Sequence, residues 1–141
     1  MIDITDKEET LREAMVGAKV FIKPAVIQLI KKGKMPKGDV LEAARLAGIM
    51  AAKKTAELIP MCHPIPIEYV GINFSVKKGS IDIIVTVKGR AKTGVEMEAF
   101  TAAAMASVTI YDMCKAFDRT IVISEIKLLK KSGGKSGLYV R

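Results

Sequence analysis

The chain has 141 residues, which suits one domain large enough to bury its own core. Half of the residues are hydrophobic, but aromatics make up only 5% and tryptophan is absent, so the core is expected from Ile, Val, Leu, Ala and Met. The formal charge of +8, from 23 Lys+Arg against 15 Asp+Glu, favours an anionic partner: nucleic acid, an acidic surface or a polyphosphate.

The N-terminus MIDITDKEETLREA is polar and acidic, without the apolar core of a signal peptide, and no stretch approaches a membrane span. Cys62 and Cys114 lie far apart in apolar surroundings. With a single histidine they make neither a metal-ligand framework nor a disulfide scaffold, and a reduced, cytoplasmic protein is expected.

In chain order, Thr5-Asp6-Lys7-Glu8 fits a capping box and predicts a helix through EETLREAMVG to Gly17. KVFIK (19–23) follows as a short strand. Pro24 opens a short helix, AVIQLIKKG, closed by Gly33. After the turn KMPKGD, Asp39 with Glu42 starts a second helix that runs to Pro60. Alternation then predicts a hairpin from Ile67 to Lys88. Val70, Ile72, Phe74 and Val76 share one face, as do Ile81, Ile83, Val85 and Val87 after the KKGS turn. Gly94 precedes a long helix, VEMEAFTAAAMASVTIYDMCKAF, and TIVISEIKLL is the last strand. The order β-α-α-β-β-α-β implies an α+β fold: a ferredoxin-like antiparallel sheet, helices packed on one face, plus an N-terminal extension.

The long helix carries Ala99, Ala103, Ala106, Ile110, Cys114 and Phe117 on one stripe. A second stripe holds Thr101, Met105, Val108, Asp112 and Lys115. A helix apolar on most sides is buried on most sides, which in a two-layer domain favours a neighbouring subunit over a crowded monomer core.

Asp112 and Lys115, three apart, share a helix face; they make either an ordinary ion pair or a proton-transfer pair. His63 sits between Pro60, Pro64 and Pro66, in a stiff segment that presents its imidazole either structurally or to a ligand. Glu96 and Glu98 open the long helix but point in different directions, so at most one is a plain dipole charge. Lys37, Lys53 and Lys54 add cations. The terminal GGKSG is not a P-loop: five residues before Gly134 stands Leu129 rather than glycine, and no helix can follow. It is expected to be a mobile, donor-rich tail.

Taken together, LIPMCHPIPI, KTGVEMEAFTAAAMASVTIYDMCKAFD and LLKKSGGKSG resemble the cyclic pyranopterin monophosphate synthases, the MoaC family of molybdenum-cofactor biosynthesis, from about Met1 to Gly137. The one departure noted is Met61, where leucine is common. The resemblance implies a lyase that converts a 3′,8-cyclised dihydroguanosine triphosphate to cyclic pyranopterin monophosphate and diphosphate. It also implies no redox cofactor, and a hexamer, a trimer of dimers with interfacial sites. By the same resemblance Asp112 is catalytic with Lys115 as its partner. Met61, Cys62 and His63 bind substrate, as do Glu96, Met97 and Glu98. Lys37, Lys53, Lys131 and Lys135 complete the set. A nucleic-acid module is the main rival, but Tyr69 and Phe74 fall on opposite hairpin faces and leave no stacking platform. An assembly protein without activity is the second.

Overall fold

A computed structural model describes residues 1–141. Its centre is β1 (Thr10–Phe21), paired on one side with β3 (Ser80–Ala91) and on the other with β4 (Val122–Ser132). β2 (Tyr69–Val76) flanks β3, and β5 (Tyr139–Val140) flanks β4, giving the order β2-β3-β1-β4-β5. All pairings are antiparallel. The first four strands, with helices between β1 and β2 and between β3 and β4, form the ferredoxin-like arrangement expected.

The helix expected over residues 5–17 does not form; those residues from Thr10 onward are strand β1. Ala14, Val16, Ala18 and Val20 are all almost completely buried, a period of two set by the sheet. Alanine and glycine on this strand weaken its β signature, and a local capping box cannot outweigh pairing along both edges. No helix or strand precedes Thr10, so the expected N-terminal extension is not a separate element.

Pro24 opens α1 (Pro24–Lys31), and Gly33, at φ 62°, ends the turn beyond it. Asp39 caps α2 (Val40–Lys53), its carboxylate accepting from the Leu41 and Glu42 N–H groups. The second helix was expected to reach Pro60. It breaks at Lys54 and restarts as α3 (Thr55–Leu58), where the Thr55 hydroxyl donates back to the Ala52 carbonyl at 2.9 Å.

α4 (Glu96–Cys114) lies across the sheet and against α2. Small residues on both helices allow a close approach: Ala44, Gly48, Ala51 and Ala52 on one, Ala99, Ala102, Ala103 and Ala106 on the other. A Cβ on Gly48 would sit 2.5 Å from Ile72 Cδ1 and 3.0 Å from the Ala102 carbonyl oxygen. The buried core is Ile, Val and Ala with Met35, Met113 and Cys114; leucine, expected among them, only packs at its margin through Leu29, Leu41 and Leu128. On α4, Ala99 through Cys114 of the first stripe are buried, whereas Phe117 beyond the helix end is 44% exposed. Met105 and Val108 of the second stripe are exposed.

Past β4 the tail does not run free. Gly133 (φ 98°), Gly134 (φ 72°) and Gly137 (φ 65°) turn it back so that Tyr139 and Val140 pair with Lys131 and Lys130. Two residues after a glycine-rich turn carry no strand pattern, so β5 is a feature of the fold and not of the sequence expectation.

Candidate active site

At the C-terminal end of α4, Asp112 is gripped by two lysines. Lys115 Nζ donates to Oδ1 at 2.7 Å from one turn away. Lys37 Nζ donates to Oδ2 at 2.7 Å and to the Asp112 carbonyl at 3.1 Å. Lys37 reaches it from the turn before α2, where Gly38, at φ 95°, reverses the chain. These hydrogen bonds, Lys115's first and then Lys37's, hold the Asp112 carboxyl down at about 2. The same contact raises Lys115 above its ordinary value. All three side chains are about half exposed. The cluster carries one surplus positive charge and presents two ammonium groups, each a proton donor and an anion ligand.

The N-terminal end of α4 holds the other candidates. Met61, Cys62 and His63 enter a cavity of about 440 Å³ with Met97 and Glu98, walled also by Met1 and Ile2. Glu98 is 3% exposed, and its Oε2 has no hydrogen-bond partner. Burial, helped by the charge of Glu96, pushes its carboxyl upward. Burial first and Glu98 second push the Cys62 thiol up, which leaves it a poor nucleophile.

A second groove of about 890 Å³ adjoins this cavity, with Lys7, Thr93 and Gly94 lining both. Val95 is its one hydrophobic wall; Arg12, Lys92, Lys131 and Lys135 supply cations, and Lys131 Nζ donates to Glu96 at 2.9 Å. A Cβ on Gly94 would meet the Glu96 carboxylate and push that side chain aside. Glu96 and Glu98 thus face different cavities, as their spacing implied. Lys53 ends α2 on the surface and lines neither.

Fourteen residues separate Glu98 from Asp112, about 21 Å along α4. One chain therefore keeps its two groups of candidates apart. Arg12 and Lys7 do not stand out as site residues in the sequence because both lie in the segment that carries the helix pattern, and Lys92 stands out only as part of a helix start. Arg12 has the strand parity of Ala14 and Val16, and a charge on an apolar face was the available signal. No three His, Cys, Asp or Glu side chains converge, and no helix is long and apolar enough to cross a membrane.

This is an α+β protein of ferredoxin-like topology, with a cation-lined groove beside a cavity that holds a buried carboxylate. The chain belongs to the MoaC family, whose family model matches residues 1–134. A relative in Thermoanaerobacter sp., named cyclic pyranopterin monophosphate synthase, is 55% identical over 143 residues, covering 100% of this chain and 90% of its own. One of that name in Desulforamulus reducens is 55% identical over 142 residues, covering 100% of this chain and 87% of its own. Another in Aquifex aeolicus is 51% identical over 140 residues and 99% of this chain; the chain spans 55% of that relative's length.

Proposed function

We propose that this chain is a cyclic pyranopterin monophosphate synthase. It is a lyase that turns cyclised dihydroguanosine triphosphate into cyclic pyranopterin monophosphate and diphosphate during molybdenum-cofactor biosynthesis, as one catalytic domain in the cytoplasm. Relatives of more than half identity over nearly the whole chain carry that name. The observation that carries the mechanism is Asp112 fixed between Lys37 and Lys115.

Glu98 accepts guanine-type N–H donors, which gives its unpartnered buried oxygen the hydrogen bond it lacks. The Met61–His63 segment and Met97 shape the cavity around the ring system. Lys131 and Lys135, with Lys92, neutralise the triphosphate in the adjoining groove. A ribose hydroxyl attacks the α-phosphorus and gives its proton to solvent, and the bond from the α-phosphorus to the oxygen bridging to the β-phosphate breaks. Diphosphate leaves with that electron pair, its charge met by lysines. Lys115 enters as an ammonium and gives a proton during ring opening and reclosure. Asp112 orients it and takes no proton itself at neutral pH.

The 21 Å between the ends of α4 favours a site completed by a second copy, in a hexamer built as a trimer of dimers. The test is incubation with the cyclised dihydroguanosine triphosphate, following diphosphate and, after oxidation, a fluorescent pterin. Release of both supports the assignment, and substrate returned intact refutes it.

A further inference from the structure

We infer that Arg12 is a positioning residue whose guanidinium pins the glycine turn of the tail to the turn before α4, setting the shape of the cation-lined groove. The inference rests on the reading of that groove as the phosphate end of the site.

Arg12 makes no ion pair in this structure. Its guanidinium instead donates to three backbone carbonyls in two separate parts of the chain, the adjacent Ala91 and Lys92 and the distant Gly133. Nε donates to Ala91 at 3.3 Å, Nη2 to Lys92 at 3.4 Å and Nη1 to Gly133 at 3.2 Å. These contacts join β1, the end of β3 and the start of the tail, and Arg12, Lys92 and Gly133 among them line the groove. Three of the five guanidinium N–H groups are used, in a fork that lysine cannot reproduce.

The glycine pair fits the same arrangement. A Cβ on Gly133 would strike the Leu11 carbonyl oxygen, and one on Gly134 would strike the Arg12 guanidinium itself. Both residues also have positive φ. The tail therefore rides directly over Leu11 and Arg12, which accounts for the two glycines without a P-loop. Everything so tied carries groove cations: Lys92 on one side, and Lys131 and Lys135 on the other. The core is untouched, since Arg12's partners are carbonyls at the rim and its hydrogen bonds are only part-buried. Removing the clasp should loosen the lysines while leaving the fold intact.

The experiment uses the full chain, with inorganic diphosphate as the probe. Titration calorimetry and hydrogen exchange are run on the unsubstituted protein, Arg12→Lys and Arg12→Ala. Both variants should bind diphosphate at least ~10-fold more weakly, the scale of losing a hydrogen bond to a charged group. Exchange should rise across residues 133–136 and stay unchanged in α4. In turnover assays KM should rise while kcat holds, because the clasp acts on binding and not on proton transfer.

Arg12→Lys with undiminished affinity and protection would overturn the inference, since charge alone would then suffice. Should Arg12→Ala fail to fold, Gly134→Ala tests the same clasp from the tail's side by displacing the guanidinium; unchanged exchange and affinity there would overturn it equally. If the unsubstituted protein ignores diphosphate, the phosphate reading fails, whereas the clasp still stands or falls on the exchange of residues 133–136.

Discussion

Glu96 and Glu98 stand two residues apart and meet opposite conditions. Glu96 lies about a quarter exposed against Lys131, whereas Glu98 is buried with one oxygen unpartnered and its carboxyl raised by burial. Raised titration in the folded state means that ionised Glu98 works against folding. Its penalty is absent below the ordinary value of 4.5 and appears as pH rises through the folded value. Glu98→Gln should therefore raise the melting temperature of the ligand-free protein by a few degrees at pH 7, with no gain at pH 4. A lower melting temperature at pH 7 would contradict this. Protonation of Glu98 should also set the acid limb of kcat/KM, which the glutamine variant should lack. Asp112 behaves the other way. Its stabilising contribution is full above 3.8 and disappears only as pH falls through about 2. Lys115, raised from 10.5, stays protonated through pH 9. Lys115→Ala should leave a folded protein that binds substrate and turns over at least ~10²-fold more slowly, the usual scale for losing a general acid. Near-normal turnover would reduce the Asp112–Lys115 contact to an ion pair.

At the scale of elements, the hairpin β2–β3, both main helices and β4 were legible because their periodicity is strong and their ends are marked by Pro24, Asp39 and Gly94. β1 was legible only at its end, where Lys19–Phe21 fall in the expected strand KVFIK; the rest was not, because Ala14, Gly17 and Ala18 carry little strand preference and its hydrophobic period is fixed by partners 59 or more residues away. β5 was hidden for the same reason: two residues give no pattern, and three positive-φ glycines place them. Of the site, the residue types were readable from the motifs, but their division between two ends of α4 needed the fold. Gly48 illustrates a constraint visible only in packing. Gly48→Ala should destabilise by about 1–3 kcal/mol, the range for overpacking. The test is a lower urea midpoint with an unchanged slope; an unchanged midpoint would mean that α2 and α4 separate freely. Deleting residues 133–141 removes exposed residues and β5 but no core side chain. Folding should survive and diphosphate binding should fall, whereas full binding by the truncated chain would take the tail out of the site.

For the whole molecule, the outer stripe of α4 is the feature that one chain leaves unexplained. Met97, Met105 and Val108 are 40%, 39% and 50% exposed, and Leu46 and Met50 on α2 are 62% and 61% exposed. A second copy covering this surface would bury them, and a site shared between copies would join the two ends of α4. Mixing inactive variants tests this directly. Lys115→Ala and Lys131→Ala are each assayed alone with the cyclised dihydroguanosine triphosphate, then as a co-refolded equal mixture. If each site takes Lys115 from one chain and Lys131 from another, about a quarter of the sites in the mixture regain both lysines and release diphosphate. A mixture as inactive as its components would place both residues of a working site in the same chain and contradict the shared-site account.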